Sequence, residues 1–469
     1  MTPSTLRRGP PPAPEERLWN PAVETMDPEA LRELQWARLR DQLAYVYERS
    51  GFYRARLDRA GARPEDVRTW EDFARVPVLT KDDLRAAQEE SLRTRGHPFD
   101  GITCAPRERI VRINATSGTT GVPTLYTLTA RDVAVVNEMH ARKYWRAGIR
   151  PGSVMLQALS LSMFTGGLPL SQGIMHLGAA VVPVGVEGGT RRVLEFARLT
   201  RPDALVATPS FGQVLIERCP EILGRPAAEL GIRRFFAAGE PGGSVPEVRS
   251  VLQAGLGARV FDHTGGGHAF HGITCEAADG MHFVSPDHCL LELVTPGSRE
   301  PVAPADGAEG EMLVTFLAWE GGPFVRASFG DVIRVATTPC PCGLPGLRFS
   351  IVGRADDMLL VKGVNLFPAG VQGVVGTFVP RLTGRFQIVL SAPGPRVEPP
   401  LRLRVERAEG VEGDALQALE RELVERMRAT LRVRPAVEWV APGSLPREAH
   451  KTRWIVVEPP GEGGRRGPA

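Results

Sequence analysis

Apolar residues follow two rhythms along this chain. Between about 28 and 95 they recur at helical intervals, and PEALRELQWARLRDQLAYVYERS carries Leu31, Leu34, Leu39, Leu43 and Val46 in that way. Asp27 followed by Pro28 supplies an N-cap and a first-turn residue for this helix. From about 110 the texture changes to short β-rich runs separated by helical segments: VMLQAL, AAVVPVG, ALVATPS, IRRFFAAGE and ARVFDHTGG, each closing on small or glycine residues. Apolar strands alternating with helices predict a sheet covered on both faces, with ligands beyond the strand ends. A second unit starts near Val352-Gly353-Arg354, where runs such as LRVERAEG flank the helical DALQALERELVERMRATL. The expected fold class is α/β: a large N-terminal domain over 17–353 with layered mixed β-sheets and helices, then a small α+β C-terminal domain over 354–458. Proline-rich 1–16 and glycine-, proline- and arginine-rich 459–469 bury too little apolar surface to offset their ordering entropy, so both are expected to be disordered. No internal repeat interrupts this order.

Composition narrows the function classes. With 469 residues the chain has ample length for a sizeable core. Lys plus Arg at 57 against Asp plus Glu at 54 leaves +3, and the two signs are mixed along the chain, so nothing calls for nucleic acid. The start, MTPSTLRRGPPPAPEE, has no apolar stretch behind its arginines, and no window reaches the run of about 18 apolar residues that a membrane span needs. The expected compartment is the cytoplasm. Six cysteines are too few for a disulfide scaffold and point to thiol or metal chemistry.

The most informative segment is Asn114-Ala-Thr-Ser-Gly-Thr-Thr-Gly-Val-Pro-Thr124, following the strand-like RIVRI. Thr116, Ser117, Thr119 and Thr120 supply four hydroxyls, and Gly118 and Gly121 free the backbone between them. Glycines let amide N–H groups converge on an anion, while hydroxyls add donors without bulk. A Ser/Thr/Gly loop is by default a polar turn. The order TSGTTGxP is specific enough to outweigh that reading.

This loop resembles the nucleotide-binding loop of the acyl-CoA synthetase and adenylation-domain superfamily, and from about Trp19 to Glu458 the chain is similar to the phenylacetate–CoA ligase family. FYRARLDRAGARPEDVRTWEDFARVPVLTKDDLR is similar to that family's helical entry region, and MFTGGLPLSQGIMHLGAAVVPVG and ATPSF to its central strands and pocket loops. The resemblance implies that Gly239, Glu240 and Pro241 form the adenine-side turn and that Asp331, in RASFGDVIRV, accepts the ribose hydroxyls. In GRADDMLLVKGVNLFP it implies that Arg354 reaches the nucleotide and Asp356 is the hinge, beside Asp357. Lys451, in SLPREAHKTRW, matches the catalytic lysine of a mobile C-terminal domain. Gly363 and Asn365 are equally compatible with a plain turn.

The implied chemistry uses ATP, magnesium and coenzyme A. A carboxylate attacks the α-phosphorus, pyrophosphate leaves, and Lys451 places positive charge beside the reacting groups. The small domain then rotates about its hinge and presents VKGVNLF to the pantetheine arm. An acid pocket is expected at Phe164, Thr165, Gly166 and Gly167, with Gly265, Gly266, Gly267 and His268 opposite; three successive glycines would leave room for an aromatic acid. Arylacetate, benzoate and aminobenzoate remain open.

Two departures stand out. Val122 occupies the position where the phosphate loop usually has lysine. The family's Tyr-Gly-x-Ser/Thr-Glu block, whose glutamate binds magnesium, reads here Asp262-His-Thr-Gly-Gly-Gly-His-Ala-Phe270 and contains no glutamate. His268, a metal-bound water, or retention of magnesium by the phosphates themselves are the alternatives. Cys275, His282, Cys340 and Cys342 fall where the family has a Cys…His…Cys-x-Cys set, which implies a closed tetrahedral zinc site. By spacing alone they read as ordinary thiols; His288 and Cys289 are rival ligands, and Cys104 and Cys219 are expected in the core. Three functions stay open: a coenzyme A ligase, an enzyme loading a carrier protein or an amine, and a nucleotide- or partner-binding module that has lost adenylation. The resemblance also leaves a homodimer open.

Overall fold

The computed structural model describes residues 4–99, 101–115, 123–163, 166–277, 280–362, 364–392, 394–445 and 454–458, with only the backbone at Asn365. The chain divides into two compact units, the first Met1–Ser244, Arg249–Phe329 and Ile333–Ser350, the second Val245–Val248, Gly330–Val332 and Ile351–Ala469.

The helical rhythm of the sequence appears as α1 (Pro28–Arg49), followed by helices Gly51–Ala60, Trp70–Ala74 and Lys81–Arg95. Asp27 caps α1, its carboxylate accepting from the backbone of Glu29 and Ala30, with Pro28 in the first turn. The strands begin with β1 (Ile110–Ala115) and β2 (Leu125–Thr129), an antiparallel ribbon whose connection is the Thr/Ser/Gly segment. Then come β3 (Val154–Gln157), β4 (Ala180–Pro183), β5 (Ala204–Ala207), β6 (Arg234–Ala237) and β7 (Arg259–Thr264), all paired in parallel in the order β4-β3-β5-β6-β7. Antiparallel strands extend that sheet: β8 (Gly272–Thr274), β9 (Met281–Phe283), β10 (Cys289–Val294), β11 (Pro301–Val302), β12 (Glu309–Phe316), β13 (Ala327–Ala336) and β14 (Arg348–Arg354). The parallel strands are apolar along their middles because helices cover the sheet, among them α2 (Ala130–Arg146), α3 (Leu168–Leu177) and α4 (Pro209–Leu223). Tyr144 and Trp145 on α2 and Ile174 on α3 pack with Met155, Val206 and Phe236 from the strands.

The second unit has its own core. A four-stranded sheet formed by Leu382–Leu390, Leu401–Arg407, Pro435–Val440 and Ile455–Val457 packs against α5 (Pro368–Gly376) and α6 (Gly413–Leu431), with Leu419, Leu423 and Met427 of α6 facing Ile388, Leu403 and Val405.

Residues 4–16 differ from the disorder expected of them. The Thr5 hydroxyl donates to Asp287 Oδ2 at 2.5 Å, Arg150 Nε donates to the Pro14 carbonyl at 2.8 Å, and Trp145 Nε1 to the Glu16 carbonyl at 2.8 Å. The composition is poor in apolar groups, but these polar anchors supply buried partners that a hydrophobicity argument does not count. Residues 459–469 lie outside the described residues.

Those anchors end on a buried charge network. Arg142 of α2 grips Asp287 with two bonds of 2.7 and 3.1 Å and Glu138, one turn earlier, at 3.1 Å. All three side chains are essentially without solvent exposure. Trp19 Nε1 and Asn20 Nδ2 complete the Glu138 carboxylate, and Arg38 of α1 donates to the Asp287 carbonyl. Burial opposes both charges, yet the Arg142 guanidinium holds Asp287 well below the usual carboxylate range. Burying such charges is costly, and removing one partner strands the rest. Arg142→Met is therefore expected to lower unfolding free energy by about 3–5 kcal/mol, read as a shifted denaturant midpoint with an unchanged slope.

Candidate functional site

Parallel strands direct their carboxyl ends to one edge, where the backbone leaves the sheet and can approach a ligand. Three loops meet there. The amide of Ala115, last residue of β1, donates to the Met163 carbonyl at 3.1 Å, joining the ribbon to the loop after β3. Gln157, which ends β3, holds that loop by donating from Nε2 to the carbonyls of Gly166 at 3.2 Å and Gly167 at 3.0 Å, and it accepts from the Ser171 hydroxyl. The third loop follows β7: the side chain of Asn114 fills the space that a Cβ at Gly267 would enter, with Pro169 beside it. Asn114 Nδ2 is buried and has no hydrogen-bond partner among the described residues. The end of the ribbon, the 158–167 loop and the glycine turn thus share one location.

Gly265 has φ +95°, and a side chain there would strike His271 and the Phe270 carbonyl. At Gly265 and Gly267 the missing side chains therefore admit close packing; their room is already filled. Under this turn lies a polar cluster. Lys143 of α2, fully buried, donates to His263 Nδ1 at 3.1 Å, to the Gly265 carbonyl at 3.1 Å and to the Thr264 carbonyl at 3.4 Å. His140 Nε2 lies 3.0 Å from the Gly266 carbonyl. Burial pushes Lys143 well below its ordinary value, and burial with the adjacent Lys143 does the same to His140 and His263. None of these α2 residues is readable as a site residue, because a helix rich in charge resembles a solvated one.

His268 is half-buried, its ring stacked near Phe316 and Phe329 with centroids 6.2 and 6.1 Å apart. Nδ1 accepts from the Phe270 amide at 3.2 Å, and burial lowers the imidazole to about 4. The ring is therefore neutral near pH 7 with its proton on Nε2. In this arrangement Nδ1 is engaged with the backbone and Nε2 presents a donor.

On the next parallel strand, β6 runs into Gly239-Glu240-Pro241. Gly239 takes φ +88° beside Thr208, and the Glu240 carboxylate accepts from the Ser210 amide at 2.6 Å, in the first turn of α4. Burial raises Glu240 against those hydrogen bonds. Asp262, within β7, accepts from the Ser244 hydroxyl at 2.6 Å and is pushed up to about 6 by burial.

Within the second unit, Arg354 Nη1 donates to Asp331 Oδ1 at 3.0 Å and Nη2 to Asp356 Oδ2 at 2.9 Å, while Asp357 lies 3.8 Å from Nε. Burial lowers the guanidinium, and Asp331, Asp356 and Asp357 together more than restore it. The structure thus joins the ribose-side and hinge candidates through one arginine. Thr116, Ser117, Gly118, Thr119, Thr120, Gly121 and Val122, together with Phe164, Thr165, Gly363 and Lys451, lie outside the described residues.

Cys275, His282, Cys340 and Cys342 bring their four ligand atoms within 4.8 Å of one another. Cys275 Sγ is 3.5 Å from Cys340 Sγ, His282 Nε2 is 3.4 Å from Cys342 Sγ, and the Leu344 amide donates to Cys342 Sγ at 3.3 Å. Burial pushes the Cys275 thiol up to about 12 and lowers His282 to about 4, leaving a neutral imidazole suited to ligation. The rivals sit elsewhere: His288 Nε2 is 3.0 Å from the Thr5 hydroxyl, and Cys289 points at the Leu290 carbonyl. Cys104 and Cys219 are buried.

Asp262→Asn tests the electrostatics of this edge. A carboxyl raised to about 6 opposes folding increasingly as pH rises from about 4 to 6, because the folded state must then carry a buried charge. The variant is expected to lose less stability than the parent across that interval in denaturant titrations. Parallel pH profiles would refute the assignment.

Comparison with known proteins adds independent findings. Residues 363–457 match the model of the AMP-binding enzyme C-terminal domain. Over 94% of this chain and 99% of its own length, a phenylacetate-coenzyme A ligase of Thermus thermophilus is 34% identical. The phenylacetate-coenzyme A ligase of Escherichia coli K12 is 32% identical over 79% of this chain and 82% of its own. A 2-hydroxyisobutyryl-CoA ligase crystallised in the postadenylation state with an acyl-AMP superposes with a TM-score of 0.85 at 30% identity, over 95% of this chain and 94% of that one.

Proposed function

The chain belongs to the phenylacetate–CoA ligase family of adenylate-forming enzymes, and from that membership we propose that it joins a small aromatic carboxylic acid to coenzyme A at the expense of ATP. It is an AMP-forming acid–thiol ligase. Substrate carboxylate displaces pyrophosphate from the α-phosphorus, and the thiol then displaces AMP from the acyl-adenylate.

The observation that carries the reading is the meeting of Ala115 with Met163 and of Asn114 with Gly267 at the carboxyl edge of the parallel strands. It brings the start of the phosphate segment beside both loops assigned to the acid. In this proposal the amides and hydroxyls of 116–121 surround the phosphates, and Gly239 to Pro241 flank the adenine. Asp331 accepts the ribose hydroxyls, with Arg354 fixing its carboxylate at 3.0 Å. Lys451 supplies the charge that stabilises the transferring phosphoryl group. Asp356 serves as the hinge for thiolysis, and 364–366 lies along the thiol's path. The acid pocket is assigned to 164–167 and to the turn ending in His268. Magnesium neutralises phosphate charge when it accompanies ATP. Its protein ligand is not His268, whose acceptor nitrogen is engaged, so we assign its retention chiefly to the phosphates.

Cys275, His282, Cys340 and Cys342 fit a zinc ion as a closed Cys3His set, which would tie the turn after β8 to the loop before β14. A closed set of four protein ligands with no open position would give the ion a structural role.

Pyrophosphate exchange across a panel of aryl and alkyl acids, with and without coenzyme A, tests the activity. Aryl acids are expected to support exchange, and coenzyme A to convert it to net thioester; ATP binding without exchange for any acid would leave a nucleotide-binding module instead. Carrier protein or amine in place of coenzyme A separates the remaining acceptors. Lys451→Ala is expected to reduce exchange by about 100- to 1000-fold while ATP still binds. For the metal, emission spectrometry should find zinc in the purified chain, depleted in Cys340→Ser together with a lower melting temperature; a metal-free parent of equal stability would dismiss the site.

A further inference from the structure

The parallel strands have a second edge. At their amino ends a cavity of about 640 Å³ opens, lined by Arg17, Arg146, Arg150, Arg234 and Arg259. Arg234 and Arg259 are the first residues of β6 and β7, Arg150 precedes β3, and Arg146 ends α2. The site above gathers at the carboxyl ends of the same strands, so the cavity lies across the sheet from it.

Among the described residues, few negative charges answer these five guanidiniums. Glu276, on the cavity wall, pairs with Arg259, and Glu24 accepts from Arg146 Nε at 2.7 Å. A divalent metal on three neighbouring thiolates would add one negative charge, which still leaves guanidinium in excess. Burial, then the neighbouring Arg234, lowers Arg150; burial, then Arg233 and Arg259, lowers Arg234 against the weaker pull of Asp203 and Glu276. Backbone carbonyls hold the heads in place: Arg150 donates to Trp145 and Ile149, and Arg234 Nε to Ala147 at 2.8 Å. The Arg146 side chain is only 4% exposed, and its Nη1 is buried without a hydrogen-bond partner among the described residues. Carbonyl ligation fixes geometry but adds no net charge, so the crowding and the orphaned donor persist in the ligand-free site.

We propose that this cavity binds a small molecule carrying two or more phosphate charges. Guanidinium forks match phosphate oxygens bidentately, and the volume falls in the range of about 300–1,000 Å³ typical of small-ligand sites. A single carboxylate would not balance the excess; a diphosphate supplies several charged acceptors in a compact group. The assignment is independent of the catalytic reading.

Calorimetric titration of the full chain with pyrophosphate tests it, comparing the parent with Arg234→Gln/Arg259→Gln and using ATP–pyrophosphate exchange as the control. Two binding events are expected in the parent. The double variant should lose one, or weaken it at least about tenfold, with kcat and KM for ATP in exchange unchanged. Superimposable isotherms would overturn the proposal, as would loss of binding and exchange in parallel, which would place all pyrophosphate in the catalytic site. If the double variant does not fold, Arg259→Gln alone serves, since Arg259 and its partner Glu276 are 65% and 69% exposed. Binding of an acidic peptide without pyrophosphate would also overturn it, in favour of a protein partner.

Discussion

Arg142 is the constraint on which the first unit turns. A guanidinium without solvent must find acceptors for its donors, and among the described residues Asp287, Glu138 and backbone carbonyls supply them. Satisfying it draws the amino-terminal segment, α1 and the turn at 285–288 against α2. The very next residue, Lys143, extends the same buried polar face to the glycine turn. Folding and site geometry therefore share a helix: α2 bonds to the amino-terminal anchor through Arg142 and to the 264–265 carbonyls through Lys143.

Such a helix is where sequence reading ran short. The strands VMLQAL, ALVATPS and IRRFFAAGE were legible because short, mainly apolar stretches with small residues near their ends have few other uses, and each contains a parallel strand. Asp27 and Pro28 were legible because capping is local. Glu138, His140, Arg142 and Lys143 were not: burial of charge is a pairwise, tertiary property, and their partners lie more than 100 residues away except for Glu138 itself. The same limit hid the ordering of residues 4–16. Cys275, His282, Cys340 and Cys342 carried weak spacing information, and only strand pairing places His282 between Ile273 and Arg348, near the cysteines.

Two edges of one parallel sheet present opposite chemistries. Carboxyl ends expose backbone turns, small residues and half-buried carboxyls raised by burial. Amino ends expose arginines that begin strands. Strand dipoles do not impose this division; side-chain choice does.

The glycine turn also constrains how this lineage could change. Asn114 occupies the room beside Gly267, His271 that beside Gly265, and His268 lies among Phe270, Phe316 and Phe329. A lone His268→Glu exchange would set a carboxylate against those rings, and a lone bulky residue at 267 would displace Asn114. A carboxylate at 268 or a bulky side chain at 267 would therefore need compensating substitutions among the rings or at Asn114.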